Sequence, residues 1–241
     1  MKKFLVFLVS FLVITTSLFS TALADDTIHQ EKAERSFPES GYMCLTFDDG
    51  TTSRTNIKKI LNCLRKNGIQ CTFFLKGSIL KTNSDLWRQA ITDGHEICYH
   101  TTNHNSVANK TKAQIVKDIN DWNTIAHKTL GADYQIPKLA RLPGGGGHKD
   151  PRILKIFNDL GYYVIGWNMD TYTGVIKKKP PKVSQKIAKY IKDNSKVGNI
   201  SLQHFGGDDI CSVPLYINYL KKHFKLTKVS IALAAKIENT K

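Results

Sequence analysis

The apolar residues of this chain fall into seven short runs, at 42–47, 71–75, 95–99, 138–142, 162–167, 200–203 and 225–229. Each has strand length and is rich in aromatic or β-branched side chains. Helical patterns separate most of them. Ile57, Ile60, Leu61 and Leu64 recur at the i, i+3, i+4, i+7 spacing that puts four apolar side chains on one helix face. Asn67-Gly68 then closes that helix, because glycine takes up the left-handed conformation required just past a helix end. The same punctuation returns at Asp93-Gly94 and Leu160-Gly161. Helix starts are marked by Thr111 with Gln114, a capping box ahead of Ile115, Ile119 and Trp122. Asp150 before Pro151 marks another, an N-cap with proline at the first helical position. Strand alternating with helix several times over predicts a parallel sheet or barrel rather than a sandwich, and no internal repeat or second domain interrupts the pattern.

Two segments of different character precede the first run. Met1-Lys2-Lys3, an apolar stretch over 4–19, and Ala22-Leu23-Ala24 ahead of Asp25 have the three-part layout of a cleavable signal peptide, residues 1–24. The stretch is broken by Ser10 and Thr15-Thr16 and falls short of the roughly 20 apolar residues a spanning helix needs, so no stable membrane insertion is expected after cleavage. Residues 25–40 are polar, lack periodicity and end in Pro38-Glu39-Ser40, which reads as a flexible lead-in. Residues 41–241 then form one catalytic domain, of a size that single-core barrels reach.

Export predicts a secreted, periplasmic or cell-envelope protein. The formal net charge of +15 suits an anionic envelope or plain solubility. With no stripe of interleaved basic and aromatic residues, nucleic acid is not an expected partner. Lys177-Lys178-Lys179 before Pro180-Pro181 reads as a solvated loop. The five cysteines are an odd number without a Cys-x-x-Cys pair, and are expected to be buried thiols rather than zinc or redox groups.

The residues able to do chemistry are weak signals one at a time. With eight histidines, a His-x-x-x-His spacing arises by chance in roughly one chain in four, and Asp-Asp-Gly is usually a turn. Position carries more weight. Asp48-Asp49, His100, Arg141, Asp170 and His204 all fall at or just past the C-terminal end of an apolar run, on the rim where barrels keep active sites. Together they contain the parts for metal-assisted hydrolysis. His100 and His104, four residues apart, can face one way on a helical turn and with one carboxylate make a three-ligand site that keeps a position open for water. Zinc or a similar divalent ion there would activate that water and polarise a carbonyl. Asp48 would take the proton, and His204, its imidazolium stabilised by Asp170, would supply one to a departing amine.

In their order, Thr46-Phe47-Asp48-Asp49-Gly50, His100-Thr101-Thr102-Asn103-His104, Arg141-Leu142-Pro143, Asp170 after Trp167, and Ile200-Ser201-Leu202-Gln203-His204 resemble the five motifs of the polysaccharide deacetylase (NodB-homology) family, carbohydrate esterase family four. The resemblance spans about residues 42–229. It implies an α/β fold, a distorted (β/α) barrel of parallel strands. It also implies one bound divalent metal, usually zinc, and removal of acetyl groups from N-acetylated or, in some members, O-acetylated sugars. By position it makes Asp48 the general base, Asp49, His100 and His104 the metal ligands, Arg141 the residue that orients the base, and His204 the acid tuned by Asp170. Leu202 would line the acetyl pocket, and the Gly144 N–H would help hold the oxyanion.

The expected partner is an acetylated polysaccharide or oligosaccharide: envelope peptidoglycan first, a chitin-like polymer or poly-N-acetylglucosamine next. An O-acetyl esterase such as an acetylxylan esterase, or a non-catalytic carbohydrate-binding relative, is the alternative. Three positions depart from the family pattern. Thr51 stands where proline is common, Gly144-Gly145-Gly146-Gly147 where an aromatic residue usually follows Arg-x-Pro, and Thr171-Tyr172-Thr173-Gly174 where a second Asp and a Trp usually follow the first. The last two fall in the groove that selects substrate, and the glycine run is expected to be mobile.

Overall fold

Alternation along a strand sends successive side chains to opposite faces, and it sorts this chain into two apolar layers. The computed structural model describes residues 28–241, so the expected signal peptide lies outside the described residues. In chain order the elements are β1 (Met43–Asp49), α1 (Arg54–Asn67), β2 (Thr72–Leu75), α2 (Gly77–Leu80), α3 (Ser84–Thr92), β3 (Glu96–Tyr99), α4 (Lys112–Leu130), β4 (Leu139–Ala140), α5 (Pro151–Asp159), β5 (Tyr163–Val164), β6 (Met169–Asp170), α6 (Thr171–Gly174), α7 (Val183–Asn194), β7 (Ile200–His204), α8 (Gly207–His223), β8 (Leu226–Thr227) and α9 (Val229–Asn239).

The strands lie in the order β5-β4-β3-β2-β1-β7-β6, every neighbouring pair parallel, with β8 added beside the start of β1. The end strands of this path are β5 and β6, yet Val164 and Met169 are only five residues apart in sequence, a span of at most about 17 Å. The two edges must therefore come close, and the sheet curls into an incomplete barrel.

Its outer face carries Met43, Leu45, Phe47, Phe73, Leu75, Ile97 and Tyr99 against the helices. Phe73, Trp87 and Phe205 meet there at ring separations of 5.5–6.5 Å, each such pair contributing about 0.5–1.5 kcal/mol beyond its buried area. The inner face carries Cys44, Phe74, Cys98, Leu139, Ile165 and Ile200, covered by Val229, Ala232 and Leu233 of α9.

The helix signals act as expected. Gly68 has φ 64° and its N–H reaches Arg65 O and Leu64 O, Thr111 and Gln114 form both halves of the capping box, and Asp150 accepts from the N–H groups of Arg152 and Ile153. The described part of the lead-in corrects an expectation. Residues 28–40 are not a free tether: Glu34 pairs with Ile165 just past β5 and Ser36 with Asn199 just before β7, so the segment ties the end of one to the start of the other. Ala33 and Phe37 are buried, and the Gln30 side chain takes the N–H and donates to the carbonyl of Val164. Two buried apolar side chains with paired backbone outweigh the polar composition that suggested mobility.

All five cysteines are free thiols. Cys44, Cys71 and Cys98 are buried, and burial together with the Glu96 charge pushes their thiols up, while Cys211, against expectation, is exposed. Among the described residues no helix is long and apolar enough to cross a membrane.

Candidate active site

The inward row of β1, Cys44, Thr46 and Asp48, ends at a buried carboxylate, because Asp48 is only 3% exposed. Its register partner on β7 is His204. Arg141, just past β4, is 0% exposed and supplies the neutralising charge. Its Nη1 donates to Asp48 Oδ1 at 2.8 Å and to Thr46 Oγ1 at 2.5 Å, its Nη2 to Gly166 O at 2.9 Å and its Nε to Ile165 O at 3.3 Å. The Phe74 ring lies under the guanidinium at 4.1 Å. A guanidinium held at four points has no freedom to swing. The second Asp48 oxygen, Oδ2, is left facing the rim, 3.9 Å from His100 Nε2.

Continued alternation would turn Asp49 outward, toward the helices. A left-handed φ of 70° redirects the chain there, and the Asp49 carboxylate comes to the same rim as Asp48. His100 Nδ1 lies 2.8 Å from Arg141 O. A carbonyl only accepts, so Nδ1 carries the proton and Nε2 keeps its lone pair for the rim. That Nε2 is 3.4 Å from Asp49 Oδ1, and His104 Nε2 is 3.1 Å from the same oxygen. Asp49 Oδ1 is buried and has no hydrogen-bond partner among the described residues. The donor atoms of Asp49, His100 and His104 all lie within 4.8 Å of one another. One orphaned carboxylate oxygen and two imidazole nitrogens make a donor set that fits zinc or a similar divalent ion.

The two histidines are not on a helical turn, which corrects the expectation from their spacing. They sit on a loop after β3 in which Thr101 (φ 60°) and His104 (φ 62°) are left-handed. Asp118 of α4 pins that loop, its Oδ1 accepting the Thr102 N–H at 2.8 Å and the Tyr99 hydroxyl at 3.3 Å. The carbonyls of Thr101 and Thr102 take the N–H groups of Gly77 and Ser78. Burial works against the Asp49 charge, but the contact and charge of His100 with the charges of His104 and Lys76 outweigh it and hold the carboxyl at about 2. Burial lowers His104 below the ordinary histidine range against the pull of Asp49, favouring the neutral ring that a metal requires.

Asp170 does not sit as expected. Its carboxylate caps α6, accepting the Tyr172 N–H at 2.9 Å and the Thr173 hydroxyl at 2.5 Å, and among the described residues it makes no ion pair with His204. The carboxylate that touches His204 is Asp209, near the start of α8, whose Oδ2 accepts the backbone N–H of His204 at 3.0 Å. Asp49, Tyr172, Ile176, His204, Asp208 and Asp209 share the walls of a cleft of about 470 Å³. Leu202 is buried two residues before His204 on the same inward row. The glycine run is a hydrogen-bonded turn rather than a loose loop, with Gly145 N donating to Leu142 O at 3.0 Å and Gly146 N to Pro143 O at 3.1 Å. Gly144, Gly145 and Gly147 all have positive φ, and a side chain at Gly144 would meet nothing within 4 Å. That open approach suits a position close to a ligand.

Residues 37–165 match the family model for polysaccharide deacetylase. The peptidoglycan-N-acetylglucosamine deacetylase of Bacillus cereus is 31% identical over 169 residues, which cover 69% of this chain and 74% of that one. The chain belongs to the polysaccharide deacetylase family. This deacetylase-family chain is also 34% identical over 131 residues to the chitin deacetylase of Pestalotiopsis sp, over 53% of its own length and 41% of the relative's. The curled parallel sheet, expected as a distorted (β/α) barrel, is shared with the crystal structure of BA3943, a CE4 family pseudoenzyme from Bacillus anthracis, at a TM-score of 0.73 and 20% identity over 85% of this chain and 70% of that one. Since a pseudoenzyme has this fold, the residues on the rim and not the fold must carry any activity.

The family match runs through Asp48, Asp49, His100, His104 and Arg141 and ends before Asp170 and His204. His204 reaches the same rim through its pairing with Asp48. Asp118, Asp209 and His148 were not singled out in the sequence. His148, edge-on to Trp167 at 5.3 Å, follows the glycine run and has a buried Nε2 without a partner among the described residues. No spacing in the sequence links any of these three to the site, because each meets it through tertiary packing.

Proposed function

We propose that this protein is a metal-dependent hydrolase that removes the acetyl group from amide-linked N-acetylhexosamine units of a glycan. One observation carries the reading: a buried Arg141–Asp48 pair at 2.8 Å lies beside the cluster of Asp49, His100 and His104, with His204 directly across the strand pair. Asp49, His100 and His104 would hold one divalent ion, most simply zinc. Such an ion supplies an acidified water and polarises the acetyl carbonyl.

The remaining work falls to side chains. Arg141 occupies Asp48 Oδ1 and so turns Oδ2 to the rim, where it takes the proton of the attacking water. His204 gives a proton to the departing amine as the carbon–nitrogen bond breaks, leaving acetate and a free amino sugar. The Gly144 N–H would steady the carbonyl oxygen as charge builds on it, and Leu202 would form the floor under the acetyl methyl. Residues 41–241 would be the catalytic domain, with residues 28–40 tying the end of β5 to the start of β7.

Export through residues 1–24 and the basic balance of the chain, which keeps +13 of its +15 once Lys2 and Lys3 leave with that segment, support an envelope substrate, peptidoglycan ahead of chitin-like or poly-N-acetylglucosamine chains. Incubating the protein with N-acetylated and O-acetylated oligosaccharides and following each by mass spectrometry tests the reading. Loss of acetyl units from the N-acetylated set, abolished by a chelator and restored by zinc, is expected. Release only from the O-acetylated set would make it an esterase, and release from neither would reject it.

A further inference from the structure

The residue expected to serve His204, Asp170, is committed to capping α6, whereas Asp209 lies 1% exposed against β7 with one oxygen on the His204 N–H. Its other oxygen, Oδ1, is buried and has no hydrogen-bond partner among the described residues. The Thr171 hydroxyl donates to Leu202 O at 3.3 Å and lies close enough to the Asp209 carboxylate to favour its charged form. A buried carboxylate with an unused oxygen is an expensive feature that needs a reason.

We propose that Asp209 is the positioning residue for His204: its carboxylate fixes the strand end from which the imidazole projects and balances the positive charge that the ring carries before it gives up its proton. The proposal rests on the reading of His204 as the acid. The groups facing Asp209 are few. His204 comes from β7, Asp170 and Thr171 from the end of β6 and the start of α6, and Tyr216 from its own helix, its hydroxyl given to Gln203 Oε1 at 2.6 Å. Asp49 of β1, Asp208 and Tyr172 share the cleft. Among these groups His204 is the one basic side chain.

Burial raises the Asp209 carboxyl to about 6, against the pull of the His204 backbone N–H, the Thr171 hydroxyl and the His204 ring, and the Asp170 charge adds to the rise. Its folded value lies above the 3.8 of an unperturbed carboxyl. The folded state is therefore penalised as pH rises from about 4 through about 6, and the penalty is full above that.

The test is Asp209→Asn in the zinc-loaded full protein, with Asp209→Ser as a second neutral variant should the first not fold, and His204→Asn alongside. On an N-acetylated chitooligosaccharide, kcat of the Asp209 variant should fall about 10²-fold or more, with KM within about threefold. Its Tm should rise by roughly 5–10 °C at pH 7.5, a gain that shrinks toward nothing near pH 4. Full kcat with an inactive His204→Asn overturns the assignment of Asp209 alone. A Tm that falls together with kcat reduces Asp209 to a structural cap and also overturns it. An active His204→Asn variant rejects the acid assignment and the proposal with it.

Discussion

Replacing Arg141 by glutamine tests whether the buried Asp48 carboxylate depends on its partner. The substitution leaves Asp48, 3% exposed, without the cation 2.8 Å away, and also strands the Gly166 and Ile165 carbonyls that the guanidinium serves. Removing one member of a buried ion pair costs about 3–5 kcal/mol. For a chain of this size each 1 kcal/mol moves Tm by roughly 2–4 °C, so even the lower figure lowers Tm by roughly 6–12 °C. Activity should fall at least about 10²-fold, because Asp48 loses the contact that aims it. The decisive assay is a double-mutant cycle in urea with Asp48→Asn. Removing both charges relieves the penalty, so the double variant should be at least about 2 kcal/mol more stable than the sum of the single effects allows. Single effects that add within about 0.5 kcal/mol would refute the pairing argument.

Two further outcomes follow from other parts of the structure. Asp118→Ala removes the acceptor for Thr102 N–H and releases the loop that carries His100 and His104, so zinc affinity, read by competition with a chromophoric chelator, should weaken about 10–100-fold. His95 is buried, and burial lowers it to about 4 against the pull of Asp93. Its folded value lies below the 6.5 of an unperturbed histidine, so the neutral ring's contribution is full above that value and is lost as pH falls toward 4. Urea unfolding between pH 7 and 4 should show a loss of about 3 kcal/mol from this residue, and His95→Gln should flatten that slope.

Local chemistry made much of the fold legible before any coordinates. Gly68, the Thr111–Gln114 box and Asp150-Pro151 specify their own helix ends through bonds within four residues. Asp48, His100, Arg141 and His204 were found because a strand end is a position that sequence periodicity can mark. What escaped depends on distant parts of the chain. β6 is two residues long, too short for any alternation to show. The lead-in looked mobile because its partners, Ile165 and Asn199, lie more than a hundred residues away. His100 and His104 have the spacing of a helical turn, but a left-handed Thr101 brings the rings together by a different path. Asp209 lies five residues beyond His204 in a Gly-Gly-Asp-Asp stretch that reads as a helix start, and only the packing of α8 on β7 reveals its contact.

The two adjacent aspartates carry the central claim, because only one of them belongs to the three-donor cluster while the other is paired with Arg141. The measurement is metal content by elemental analysis of Asp48→Asn and Asp49→Asn, taken with each variant's rate on one N-acetylated oligosaccharide. Asp49→Asn is expected to lose metal and activity together, since a ligand charge is gone. Asp48→Asn is expected to keep its metal near full occupancy while turnover falls about 10²–10⁴-fold. Loss of metal from Asp48→Asn with retention in Asp49→Asn would contradict the assigned roles, and full activity in both would contradict the hydrolase itself.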